Sequence, residues 1–300
     1  MKKRLLSALL AFFCMLQLFC LPAFAQTAPA AAVSETASAV SDTAEAEQTA
    51  DEEGAEEETG EEENAVRTTG VCGENGANLT YTIYEDGTMV ISGTGGMKEF
   101  GGVYSRRPWK WYDSMITSLV VEEGVTSLAY CAFEATPNLV SAKLPSTVTR
   151  VASKLFYGCK SLKTVELAPE TDYIGSYAFM NCTSLESIVL PDGITNIIYG
   201  TFCNCSSLKD ITWPAQLKYI ELNAFLGCTS LADLSGLPED LSSIAGGAFA
   251  YCTSLTELTD LPENLSDIGT DAFASCTLSA PLFCRKMWIC GATPLHTAKT

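Results

Sequence analysis

Histidine is nearly absent: the chain has one, His296, close to the C-terminal end of its 300 residues. Ser-His-Asp, Cys-His and multi-histidine metal chemistry therefore have no base or ligand set to draw on. Basic residues are scarce too, with 18 Lys and Arg against 36 Asp and Glu and a net charge of −18. Without a cationic stripe to neutralise phosphates, nucleic acid is excluded as a partner. No two cysteines stand three apart, so the paired Cys-x2-Cys ligands of a zinc ribbon are missing, and Cys203-x-Cys205 alone is weak. Gly93-Thr94-Gly95-Gly96 has no following Lys-Ser/Thr and reads as a glycine-rich turn, not a phosphate loop. Beyond Leu21 no apolar run approaches membrane-spanning length.

What is present begins with Met1-Lys2-Lys3-Arg4, an apolar run from Leu5 to Leu21, and Pro22-Ala23-Phe24-Ala25. A basic start, a short apolar core and small residues at the end predict a secretory signal over 1–25, cleaved after Ala25. The competing reading is a membrane anchor, for which 17 apolar residues are short. A lipoprotein signal at Cys20 is disfavoured by bulky Phe19 before it. Residues 26–66 carry thirteen acidic side chains, no Lys or Arg and no aromatic. Such a segment buries too little apolar surface to offset chain entropy, so we expect a disordered acidic linker. Residues 67–300 hold 15 basic and 23 acidic residues, a net of only −8.

The rest is dominated by repetition. Phe133, Phe156, Phe179, Phe202, Phe225, Phe249 and Phe273 recur at intervals of 23 or 24 residues. Five residues before each stands an aliphatic, from Leu128 to Ile268, and three after each from the second onward stands Cys, from Cys159 to Cys276, with Thr136 in the first copy. A Leu follows three residues later, then an alternating apolar pair such as Ile188 and Leu190, then a Pro. A period in this range is the mark of a stacked solenoid. The Leu-x-x-Ile-x-Leu-Pro segment predicts one inward-alternating strand per coil, ended by the proline. Stacked at about 4.8 Å, seven rungs give a parallel sheet on one face, roughly 30 Å long. The return segment is expected to be one turn of helix or 3₁₀.

Upstream, Leu79 to Tyr84, the Asp86-Gly87 turn and Thr88 to Ser92 predict a hairpin, and residues 67–112 an N-terminal β cap. Eleven cysteines remain after signal removal. Those of the repeat column would lie parallel rather than face one another, and are read as small buried hydrophobes. Cys284 and Cys290, outside the column, are the pair most suited to bridging.

The columns, quoted as Tyr-Ala-Phe-x-x-Cys-x-Ser-Leu-x-x-Ile-x-Leu-Pro, resemble the BspA-like leucine-rich repeats of bacterial surface proteins over about Ile116 to Cys276. Cys72-Gly73-x-Asn75, Ile91-Ser92-Gly93-x-Gly95 and Pro108-Trp109 are similar to that family's opening segment. The resemblance implies a leucine-rich-repeat solenoid at 113–276, mainly β. It further implies a secreted or surface-attached protein acting in adhesion or ligand binding, without catalysis or cofactor. Two departures stand out: Thr171 with Ala168 in one copy, and an irregular tail over 277–300 that opens Thr277-Leu278-Ser279-Ala280-Pro281.

Two sets of candidate contacts follow. On the strand face these are Lys163, Glu166, Glu186, Lys209, Asp210, Thr212, Asp233 and Glu257, suited to an extracellular protein or glycan. Asp210, Asp233 and Glu257 fall in one outward column, where like charges would raise one another's pKa or hold a cation. The second set is aromatic: Tyr104, Trp109, Trp111 and Tyr112, with Arg106, Arg107 and Lys110 beside them, able to stack on a sugar or another ring. Against this stands the reading that both tryptophans plug the end of the core. The alternative function is a surface-associated hydrolase or carbohydrate-processing accessory, for which a regular exposed sheet offers no enclosing cleft. A plain structural spacer is a third.

Overall fold

The computed structural model of the chain describes residues 64–101, 106–258 and 261–279. The expected signal, the linker up to residue 63, Tyr104, Cys284, Cys290 and His296 lie outside the described residues. Three antiparallel strands open the fold: β1 (Val66–Gly73), β2 (Gly76–Tyr84) and β3 (Thr88–Gly93). Gly87 takes a left-handed φ of 87° at the β2–β3 turn, where Thr88 N donates to Asp86 Oδ1 at 2.7 Å. The cap is thus a three-stranded meander rather than a bare hairpin. Strand β3 then pairs in parallel with the first rung of the repeats. After β4 (Gly95–Gly96), that rung is β5 (Ser118–Val121), while β6 (Val125–Ser127) pairs with β4.

Each following coil as far as Ile220 holds two short strands, where the sequence predicts one, and the last two coils hold one each among the described residues. The first ladder continues from β5 through β7 (Ser141–Lys143) and β9 (Thr164–Glu166), in the sheet order β1-β2-β3-β5-β7-β9. It resumes as β11 (Ser187–Val189) paired with β13 (Asp210–Thr212). A second ladder runs along the aliphatic column five residues before each Phe. There β8 (Arg150–Val151) pairs with β10 (Tyr173–Ile174), and β12 (Asn196–Ile197), β14 (Tyr219–Ile220), β15 (Ser243–Ile244) and β16 (Asp267–Ile268) form a four-stranded sheet. Every pairing in both ladders is parallel and links residues 23 or 24 apart, which is the repeat itself.

The return arcs contain neither α-helix nor 3₁₀, contrary to expectation. The 3₁₀ conformation seen among the described residues, at Arg106 and over Lys110–Tyr112, lies before the first coil. Two residues in every arc are left-handed, at two before and two after the Phe: for example Lys154 (φ 54°) with Gly158 (φ 73°), and Tyr177 (φ 60°) with Asn181 (φ 63°). The amides consequently alternate. Ala132, Glu134 and Thr136 N–H close turns within their own coil, onto Ala129, Cys131 and Phe133 O. Phe133 and Ala135 N–H instead donate to Leu155 and Tyr157 O of the next coil, at 3.0 and 2.7 Å. A helical arc would spend every N–H internally and leave the coils unstitched.

Inside, the seven phenylalanines form one stack. Consecutive ring centroids are 5.2–6.0 Å apart with interplanar angles of 1–19°. Beside it runs a thiol ladder, in which each Cys Sγ donates to the carbonyl of the preceding coil's Phe, as from Cys159 to Phe133 O and Cys205 to Phe179 O, both at 3.0 Å. Thr136 supplies Oγ1 to Phe133 O at 2.9 Å in the copy lacking the cysteine. None of the nine described cysteines is in a disulfide. Burial pushes the Cys159 thiol up to about 12 and those of Cys182, Cys228 and Cys252 well above their ordinary value.

Candidate functional site

Within the first ladder, the middle residue of each strand points inward and its neighbours point out, so register fixes the exposed columns. Ser141, Thr164, Ser187 and Asp210 form one column. Lys143 pairs in register with Glu166, and Val189 with Thr212, giving a second. Lys163, Glu186 and Lys209 stand one residue ahead of their strands and make a third; Lys209 N donates to Glu186 O. The six candidates from Lys163 to Thr212 therefore share one rigid exposed face.

Two of its acids are paired with lysines of the neighbouring rung. Lys143 Nζ lies 3.5 Å from Glu166 and Lys209 Nζ 3.5 Å from Glu186, each side chain more than half exposed. Such pairs fix side-chain position more than they stabilise, being worth roughly 0–1 kcal/mol. Val189, 65% exposed, is an apolar point in a polar face that the sequence reading passed over.

Asp233 and Glu257 do not continue the column as strand residues. After β13 the first ladder ends among the described residues, and both sit in irregular segments outside any strand. The copies here are 24 residues long, and the extra residue is taken up by a turn with Gly236 at φ 82°. Asp233 Oδ1 accepts from Ser235 N at 2.9 Å and from Ser235 Oγ at 2.6 Å. Those hydrogen bonds lower the Asp233 pKa, the reverse of the rise expected from like charges on adjacent rungs. Both carboxylates instead line a shallow cleft of about 290 Å³, floored by Leu234, Leu258 and Leu261.

The aromatic candidates separate. Trp109 is wholly buried, stacked on Phe133 at 5.6 Å and 20° and edge-on to Tyr81 and Phe100. It occupies the Phe position of a leading half-coil and closes the stack, so it has no surface to offer a ligand. Arg107 is likewise internal, not a ligand-side cation. Its Nε and Nη2 grip Asp113 at 3.1 and 2.5 Å, its Nη1 donates to Glu134 O at 2.8 Å, and Lys110 Nζ reaches the same carboxylate at 2.6 Å. Trp111, by contrast, is 91% exposed. Trp109 seats the 3₁₀ turn from one side and the Arg107–Asp113 fork holds it from the other, so this indole is displayed on a fixed support. It lies on the arc side, apart from the strand-face set. Residue type does not distinguish Trp109 from Trp111, but the repeat does: Trp109 stands 24 residues before Phe133, in the Phe column.

No curated protein matches the chain. Among solved structures, the leucine-rich repeat protein TpLRR of T. pallidum is similar with a TM-score of 0.52 and 29% identity, over 67% of this chain and 87% of that one. A leucine-rich repeat protein from Bacteroides ovatus shares the fold at a TM-score of 0.51 and 23% identity, over 67% of this chain and 56% of its own length. The model of the BspA type leucine rich repeat region matches six copies, over residues 110–232 and 172–288. With the periodic Phe, Cys and Leu columns stacked as the match requires, this chain belongs to the BspA-type leucine-rich repeat family.

Proposed function

We propose that the protein is a non-enzymatic binding module, secreted or held at the cell surface, that engages an extracellular protein or glycan through its strand face. The observation that carries this reading is the fixed exposed array Lys163, Glu166, Glu186, Lys209, Asp210 and Thr212, set around Val189 on rungs bonded coil to coil. A rigid surface of this kind loses little entropy on binding, the advantage of preorganisation. Export is supported by the leading residues 1–25. No described helix is long and apolar enough to cross a membrane.

The test is surface plasmon resonance of the purified protein against panels of extracellular matrix proteins and glycans. For any partner found, combining Lys163→Ala, Glu186→Ala and Lys209→Ala should weaken binding at least about tenfold. The melting temperature should hardly move, because exposed ion pairs contribute roughly 0–1 kcal/mol. Undiminished binding by the triple variant would move the site elsewhere, and turnover of a polysaccharide or peptide library would favour the hydrolytic alternative.

A further inference from the structure

The outward side of the return arcs is built differently from the strand face, with aromatic residues at varying positions around each Phe. Half-buried tyrosines recur along it, Tyr130, Tyr157, Tyr177 and Tyr199 on coils one to four. Tyr177 and Tyr199 meet edge to face at 5.0 Å and 87°. Beneath this row Met180 and Cys203 are buried in a small apolar cluster outside the main core, packed with Tyr157, Tyr177 and Leu226. Leu222 and Tyr251 extend the row onto coils five and six and remain more than a third exposed. Apolar side chains clustered outside the core in this way are a candidate docking surface.

The charges on the arcs select the occupant. Counting the half-coil of Trp109 as zero, the two central arcs, three (residues 175–184) and four (198–207), carry no Asp, Glu, Lys or Arg. Towards the N-terminus the arcs carry Arg106, Lys154 and Lys160, with half-buried Glu134 the acidic exception; Lys110 is held by Asp113, and the Lys154 ammonium lies 5.5–5.9 Å from the rings of Tyr130, Tyr157 and Tyr177. Towards the C-terminus they carry Glu221 and Asp271. A polyelectrolyte would meet both signs, and edge-on rings offer no flat platform for a sugar. A second copy turned antiparallel pairs four of these charges: a two-fold axis between arcs three and four sets Lys154 (two) beside Glu221 (five), and Arg106 (zero) beside Asp271 (seven), while Glu134 (one) faces the uncharged arc six and Lys160 stays at the rim. The same operation places Tyr177 opposite Tyr199, and Tyr130 opposite Tyr251.

We propose that the arc face is the interface of an antiparallel homodimer, self-complementary in charge about an uncharged tyrosine-lined centre. This does not depend on the strand-face reading, and it leaves both strand faces open, so that two copies bind a repetitive surface with the avidity of a linked pair. Sedimentation velocity of the full chain from about 1 to 100 µM, spanning the affinities of a standard-size interface, tests it. A concentration-dependent dimer is expected. Leu222→Asp, or Tyr251→Asp as a second exposed site, should give monomer with an unchanged thermal melt by circular dichroism. Glu221→Lys should weaken the dimer about tenfold and Lys154→Glu added to it should restore the affinity. A monomer throughout, or a dimer indifferent to the Asp variants or to the charge reversals, overturns the proposal.

Discussion

Six cysteines and one threonine donate to a Phe carbonyl from the same place in successive coils. At this position the side chain must be small, mostly apolar and able to donate one weak hydrogen bond, which a thiol does at little desolvation cost. The thiols bear on pH in a definite direction. Burial holds their folded pKa above the unfolded value, to about 12 for Cys159 and about 11 for Cys276. Their contribution is thus complete below the ordinary thiol pKa near 9.0 and is lost as pH rises from there towards those folded values. Urea melts between pH 7 and 11 should show stability level to about 8.5 and falling above it; a rise in stability over that alkaline range would contradict the assignment.

Thr171 and Gly158 test the residue scale in opposite senses. Thr171 Oγ1 is buried with no hydrogen-bond partner, in a column otherwise aliphatic. Thr171→Val removes the orphan hydroxyl and should raise stability by about 1–2 kcal/mol in denaturant titration. Gly158 stands at φ 73° with nothing nearer than 3.9 Å to an added Cβ, so its replacement meets only backbone cost. Gly158→Ala should lose about 1 kcal/mol. A larger loss would mean a packing role that the open space denies.

At the scale of elements, the phenylalanine stack and its caps carry the fold. Phe202 is wholly buried between Phe179 and Phe225 at 5.3 and 5.2 Å, so Phe202→Ala should cost about 3–5 kcal/mol and reduce cooperativity. Asp113→Ala strands the buried Arg107 guanidinium, and a loss of about 3–5 kcal/mol is expected by differential scanning calorimetry. Much of this element plan was legible in the sequence, because a 23-residue period can only be satisfied by stacking each apolar column on its own copy. The second ladder was not, since a two-residue strand such as Tyr173–Ile174 has too few alternations to read. The helical arc was misjudged for a physical reason. Lys154, Tyr177 and Tyr251 give no hint of left-handed backbone; the neighbouring coil's carbonyls impose it. The candidate contacts were legible as a column wherever the period stayed at 23, and Asp233 and Glu257 were misplaced where an added residue broke the ladder.

At the scale of the whole molecule, the same stacking produces two faces of different chemistry. The strand face is polar and carries two ion pairs between neighbouring rungs, while the arc face is tyrosine-rich and uncharged at its centre. Trp111 belongs to the second, and Trp111→Ala should leave the thermal melt unchanged, whereas Trp109→Ala should lower stability by about 3–5 kcal/mol. Both faces exist only because each coil is bonded to the next through its arc as well as through the strand ladders. Native-state hydrogen exchange measures this directly. The amides of Phe156, Gly158, Phe179 and Asn181 should be protected as strongly as those of the strands, in a pattern repeating with the coil. Fast exchange at these four, with protection confined to the two strand ladders, would contradict it.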